Sequence, residues 1–209
     1  MPQTFPRIVV LTGNPRPASR TRAVARAVAQ RISHGLAADP AFDARPTARP
    51  EDIDIDIDID IDLALIAQDL FADTHGSAAT ALESTRAAGV LVVATPVYKG
   101  SYTGLLKVFL DLLPSGGLTG VVAVPVILAA APAHQAVAEL HLRPVLAELG
   151  ATVPTPAFSI VEAQLFDLGA EVEGWVTANS RLVRASAAVL ATTSAATEAE
   201  LATEAELAR

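Results

Sequence analysis

Hydrophobic residues in this chain come in short unbroken runs, each followed by a stretch of helical periodicity. The first run, Ile8, Val9, Val10 and Leu11, ends at Thr12-Gly13-Asn14-Pro15, which predicts a buried strand and a turn. Val24, Val28 and Ile32 then recur at helical spacing among alanines and arginines. A second strand is expected in the Ile-Asp stretch, and an alanine-rich helix near residues 77–88 stops at Gly89. Residues 90–94 form the next strand, closed by Thr95-Pro96, and residues 104–113 the next helix, closed by Pro114. Residues 121–131 predict a fourth strand, with Pro125 placed at a bulge or bend because proline cannot donate to a ladder. A helix over 134–149 ending at Gly150, a fifth strand over 157–161 and a last helix over 175–190 complete the series.

Strands that are continuously apolar, rather than alternating, are buried on both faces, and strands that alternate with helices pair in parallel. The expectation is an α/β fold: a doubly wound, five-stranded parallel sheet of the flavodoxin-like type, with helices on both faces. Residues 1–192 would form this domain and 193–209 a low-complexity C-terminal tail, since Thr-Glu-Ala-Glu-Leu-Ala occurs twice there without an apolar stripe.

The run over 52–62 alternates six Asp with five Ile, a period of two that places it in or beside the second strand. Aspartates at alternate positions also open calcium loops, but those need a turn glycine and a later bidentate Glu, and β-branched Ile resists the turn. An amphipathic edge strand is expected, with its Asp face solvated because like charges repel and its Ile face free for a contact between subunits. The run also dominates the charge: the formal net charge is −8, and without those six Asp it would be −2. Neither value suits a nucleic-acid or anionic-membrane binder. The chain has no cysteine, which excludes disulfides, zinc-thiolate sites and Cys nucleophiles. With no secretory pattern at the N-terminus and no apolar run long enough to span a bilayer, a cytoplasmic protein is expected.

In open parallel sheets ligands bind beyond the carboxyl ends of the strands, where strand order reverses. The loops after the first and third strands meet there, and they are the two most distinctive loops of the sequence. The first, residues 13–21, offers a glycine for close backbone approach, Asn14, Arg16, Ser19, Arg20 and Thr21, and a helix start, which together suit a phosphate monoester. It is neither a Walker loop nor the dinucleotide fingerprint, and an ordinary turn capped by Ser19 or Thr21 explains it equally well. The second, residues 95–104, holds both tyrosines of the chain, Tyr98 and Tyr102, and Lys99, one of only two lysines. Its backbone and rings suit the edge and face of a flat heterocycle.

The segment Thr95-Pro96-Val97-Tyr98-Lys99-Gly100-Ser101-Tyr102-Thr103-Gly104-Leu105-Leu106-Lys107, with Leu110-Asp111-Leu112-Leu113-Pro114, resembles the signature of the NADPH-dependent FMN reductases. The branch that serves sulfonate utilisation is the most similar. The opening Gly13-Asn14-Pro15-Arg16, with Ser19-Arg20-Thr21, is similar to that family's phosphate loop. Ala133-His134 and Arg143-Pro144-Val145-Leu146 match its fourth loop and following helix. The resemblance covers roughly residues 7–165. It implies FMN as ligand, NADPH or NADH as hydride donor, a homodimer or homotetramer, and delivery of reduced flavin to an FMNH2-dependent monooxygenase. It places the FMN phosphate against Asn14, Arg16, Ser19, Arg20 and Thr21, and the isoalloxazine along Pro96, Val97, Tyr98, Lys99 and Gly100. Two departures stand out. Ala129-Ala130-Ala131-Pro132 replaces a glycine-bearing fourth loop, and Leu140-His141 stands where the sulfonate branch carries a tyrosine in an inserted turn.

No catalytic side chain is assigned, because in such chemistry the cofactors carry the reaction and the protein orients them. His134 and His141, seven apart, are too far for one ion on one helix, so no metal site is assigned. The alternatives are a reductase of quinones or azo dyes that retains FMN, and a non-enzymatic flavodoxin-like carrier.

Overall fold

The computed structural model describes residues 6–37, 57–72 and 76–207, with side chains through residue 193. Five strands, β1 (Ile8–Thr12), β2 (Ile59–Asp62), β3 (Val90–Pro96), β4 (Val122–Ala129) and β5 (Phe158–Val161), pair in parallel in the order β2-β1-β3-β4-β5. Order reverses between β1 and β3, so the sheet is the doubly wound, flavodoxin-like one that the apolar runs predict.

Alternation along each strand divides the core. Ile8 and Val10 of β1 point to a face covered by α1 (Arg20–Ala37) and α5 (Leu168–Leu207), where Val24, Val28, Ile32 and Leu36 recur every four residues and are fully or almost fully buried. Val9 and Leu11 point to the other face, covered by α2 (Gly76–Arg86), α3 (Gly104–Asp111) and α4 (Arg143–Glu148). Leu106, Phe109 and Leu110 of α3 are wholly buried there, each about 1.5–3 kcal/mol of apolar transfer. On the first face, α5 starts before residue 175 and carries helical backbone on past residue 193 to Leu207.

Pro125 is not at a bulge. The β3–β4 register runs unbroken from Val90↔Val122 to Pro96↔Leu128, with Val93 opposite Pro125. Ala123 donates its N–H to Thr152 on the β5 side of β4, so the ring nitrogen two residues on faces that same side. There, β5 begins pairing only at Val126↔Phe158. The missing donor falls where no acceptor waits.

The Ile-Asp run also departs from expectation. Residues 52–56 lie outside the described residues, and β2 is a four-residue edge strand. A bend at Asp58 breaks the alternation: Ile57 packs with the α1/α5 face, whereas Ile59 and Ile61 pack with the other. Ile61 is buried there and Ile59 half-buried. Nor is the Asp face uniformly solvated. The Asp60 side chain is 12% exposed and pairs with Arg22 and Arg26 on successive turns of α1. Asp62 is buried and accepts from the N–H groups of Ala18 and Ala64, at 3.0 and 3.2 Å. Cations and amides, rather than water, resolve the repulsion there.

The helix expected over 134–149 is three pieces: a 3₁₀ turn at Pro132–His134, a π turn at Ala138–Leu142, and α4. The π turn contains Leu140 and His141, the pair that departs from the sulfonate branch. A π turn is one residue wider than an α turn and is rare outside functional regions.

Candidate functional site

The first loop leaves β1 and passes under α3. Gly13 donates to Ala94 at 2.8 Å, and a Cβ on Gly13 would lie 2.4 Å from the Leu106 Cβ. Its glycine is therefore required by α3 packing rather than by approach of a ligand. Asn14 is buried: its amide donates to Thr21 Oγ1 at 3.0 Å and its Oδ1 accepts from the Arg16 N–H at 2.9 Å. Ala18 sits at φ +50°, and Asp62 holds it there through its N–H. Ser19 Oγ accepts from the Arg22 N–H at 3.3 Å, so this hydroxyl caps α1. The N–H groups of Arg20 and Thr21, in the first turn of the helix, have no intrahelical acceptor.

The second loop is a two-residue hairpin. Tyr98 and Ser101 exchange N–H···O bonds of 2.8 and 3.1 Å around Lys99 at φ +52° and Gly100 at φ +76°. Positive φ at both central residues defines a type I′ turn, which glycine enters freely and lysine enters at a cost of about 1 kcal/mol. Thr103 then joins the two loops. Its hydroxyl donates to the Gly13 carbonyl and accepts from the Leu106 N–H at 3.2 Å, capping α3, while its own N–H donates to Thr95 Oγ1 at 3.2 Å. From the π turn, His141 Nδ1 meets Ser101 Oγ at 3.0 Å and braces the hairpin.

The two loops close a cleft of about 360 Å³, lined by Asn14, Arg16, Pro17, Ser19, Arg20, Thr21, Pro96, Tyr98, Leu128 and Glu162. That volume is in the range of small-ligand pockets. Two guanidinium groups enter it. The Arg16 guanidinium has no hydrogen-bonding or ion-pair partner among the described residues, and Arg20 Nη2 donates to Glu162 Oε1 at 2.8 Å. With two hydroxyls and two uncommitted helix-start amides, this end of the cleft has the donor set of a phosphate site. Tyr98, 43% exposed, lines the cleft as well. The cleft can hold an anion and a flat ring together.

Residues 6–165 match the sequence profile of the NADPH-dependent FMN reductase family. That is more than half of the chain. The chain belongs to the NADPH-dependent FMN reductase family. It is similar to FMN reductase (NADPH) of Escherichia coli K12, with 44% identity over 72 residues, 34% of this chain and 38% of that protein. It also resembles the NADH-dependent FMN reductase SfnF of Pseudomonas putida, with 40% identity over 86 residues, 39% of this chain and 45% of that protein. The chain thus spans less than half the length of these curated relatives. Among solved structures, an oxidoreductase from Corynebacterium diphtheriae superposes with a TM-score of 0.64 at 25% identity, over 90% of this chain and 97% of that one. An apo NADH:FMN oxidoreductase does so at 0.58 and 26%, over 82% and 88%.

Seven of the ten residues that the resemblance selects come together in the cleft: Asn14, Arg16, Ser19, Arg20, Thr21, Pro96 and Tyr98. Val97, Lys99 and Gly100 are not among its lining residues. Val97 packs on Ile127 and Ala129 behind the wall, and Lys99 and Gly100 form the exposed hairpin tip. Tyr102 is half-buried against the α3 side of the core, where burial pushes its phenol pKa up. Ala129, Ala130, Ala131 and Pro132, the altered fourth loop, do not line the cleft, whereas Leu128 just before them does. Sequence reasoning missed Pro17, Leu128 and Glu162. The last two lie at or just after the carboxyl ends of β4 and β5, where the rule applied to the first and third loops would have found them.

Proposed function

We propose that this member of the NADPH-dependent FMN reductase family reduces FMN with NADPH or NADH and releases the reduced flavin to an FMNH2-dependent monooxygenase. The observation that carries the reading is the cleft itself: a cationic, hydroxyl-lined helix start and an aromatic hairpin meet at the switch point between β1 and β3. Asn14, Arg16, Ser19, Arg20 and Thr21 would hold the phosphate, with Arg16 as the uncommitted cation. Pro96 and Tyr98 would border the isoalloxazine, and Val97, Lys99 and Gly100 would act from behind it, fixing the hairpin. FMN supplies the ring that accepts the hydride; the chain positions that ring and leaves room for the nicotinamide on its open side. We assign no side chain of the cleft as a general acid or base; Glu162, its one carboxylate among the described residues, is paired with Arg20.

Assembly as a homodimer or homotetramer in the cytoplasm belongs to the same proposal. No helix among the described residues is long and apolar enough to cross a membrane.

The decisive experiment is NADPH and NADH oxidation by flavin-stripped protein, with FMN, FAD and riboflavin added in turn. Turnover that requires flavin and prefers FMN is expected. FMN binding without nicotinamide oxidation would refute the reductase reading and leave a carrier, whereas tight flavin retention with fast quinone turnover would favour the quinone reductase.

A further inference from the structure

Glu162 is the only carboxylate among the described residues that line the cleft, and it lies at the end built for an anion. It follows β5 directly, and its Oε1 takes the Arg20 guanidinium at 2.8 Å across 142 residues of sequence. Both partners are at the surface, with side chains 64% and 43% exposed. A phosphate monoester brings between one and two negative charges at neutral pH. A site evolved only for affinity would present both arginines free and no like charge beside them. Here one arginine is already neutralised and the incoming phosphate meets a carboxylate.

We infer that Glu162 is a resident counter-anion for Arg20 that competes with the flavin phosphate and keeps FMN exchangeable. The inference rests on the proposed FMN site and names what sets affinity within it. When the cleft is empty, Glu162 holds Arg20 at the rim and satisfies its charge. When phosphate enters, it must share or displace that contact, so part of the attraction is cancelled on entry and repulsion assists departure. Arg16, which has no competing partner among the described residues, supplies the uncontested share of the attraction. A protein that hands its flavin to another enzyme needs this balance, because retention would halt delivery. The competing explanation is an ordinary surface ion pair tying the segment after β5 to α1, which would affect stability slightly and flavin affinity not at all.

The test is a flavin titration of Glu162→Gln and the wild type, with FMN and riboflavin measured side by side. Glutamine keeps the shape and loses the charge, and the exposed position leaves the fold intact. FMN should bind about 3- to 10-fold more tightly to the variant, the scale of one exposed charge interaction plus one removed repulsion. Riboflavin, which lacks the phosphate, should bind unchanged, and stopped-flow release of FMN should slow by a similar factor. In an Arg20→Ala background the gain from Glu162→Gln should fall by at least half. Unchanged FMN affinity, equal tightening of FMN and riboflavin, or a full gain without Arg20 would each overturn the inference while leaving the FMN site standing. If wild-type protein binds riboflavin as well as FMN, the phosphate site itself is wrong, and the inference goes with it.

Discussion

Thr103 lines neither end of the cleft, yet it is the residue on which the cleft's shape depends, and Thr103→Val isolates that dependence. Valine has the same volume and branching, so no cavity forms and only the hydroxyl is lost. Two interactions go with it. The α3 N-cap loses its acceptor for the Leu106 N–H, worth about 1 kcal/mol, and the buried Gly13 carbonyl loses its donor, worth about 1–3 kcal/mol. Together they predict a loss of about 2–4 kcal/mol. A chain of this size loses about 2–4 °C of Tm per kcal/mol, so a fall of about 4–16 °C is expected. Thr103→Ser keeps both bonds and loses one methyl, which costs about 1 kcal/mol. Urea denaturation of the three proteins gives the stabilities, and FMN titration gives the coupling to function. Because Gly13 begins the phosphate loop, the valine variant should bind FMN about tenfold more weakly, and the serine variant should bind it normally. A valine variant no less stable than the serine variant would refute the claim that this hydroxyl joins the two loops.

Three further perturbations separate binding from scaffolding. Arg16→Ala should weaken FMN about tenfold, as one charge-assisted contact in a partly solvated site, without changing riboflavin binding or Tm; parallel losses for both flavins would argue against a phosphate role. Gly13→Ala should cost about 1–3 kcal/mol through overpacking against Leu106, read as a lower urea midpoint, and an unchanged midpoint would show that α3 shifts freely. Glu139 is held below the ordinary glutamate range by its hydrogen bonds from Arg143 and, against some desolvation, from the Ala157 N–H. Its contribution is therefore present above about pH 4.5 and lost as the pH falls below it. The group is 42% exposed, so screening limits the effect to under about 0.5 kcal/mol. Glu139→Gln should be slightly less stable than wild type at pH 7 and equal to it at pH 3; a gap that persists at pH 3 would assign the effect to packing.

The strands and their order were legible because burial on both faces leaves a mark in the sequence: Ile8 to Leu11 and Val90 to Ala94 contain no polar residue to confuse the pattern. What was not legible depends on partners distant along the chain. Pro125 looks like a fault until it is known that β5 begins one residue later in the register. Asp60 and Asp62 read as a solvated face because period two reports which side a residue is on and not what lies there. What lies there is Arg22 and Arg26, four apart on α1, and the Ala18 amide. The spacing of those arginines was visible, but their orientation toward β2 was not. Thr103 carries no local signal beyond being a good N-cap, and its bond to Gly13 spans 90 residues. The π turn was invisible as well, since apolar spacing over 134–149 fits an α-helix about as well.

The division between buried and exposed groups bears on what kind of flavin site this is. The groups that fix the loops, Asn14, Thr21, Asp62, Thr95 and Thr103, are all buried, and nearly all their polar atoms are bonded to backbone or to each other. Of the groups proposed to touch the ligand, Asn14, Thr21 and Pro96 belong to the buried frame, Ser19 is half-buried, and Arg16, Arg20 and Tyr98 are exposed. A frame built this way is preorganised, so little ordering opposes binding, which favours rapid association. Its cationic and aromatic contacts, however, remain near water, where each is worth less than in a sealed pocket. Tight retention would need the reverse, with recognition groups desolvated and the ring covered. An open rim, an Arg16 guanidinium unpaired among the described residues and an Arg20 paired with Glu162 would suit the exchangeable flavin proposed above. Exchange of that kind is what the proposed delivery of reduced flavin to another enzyme would require.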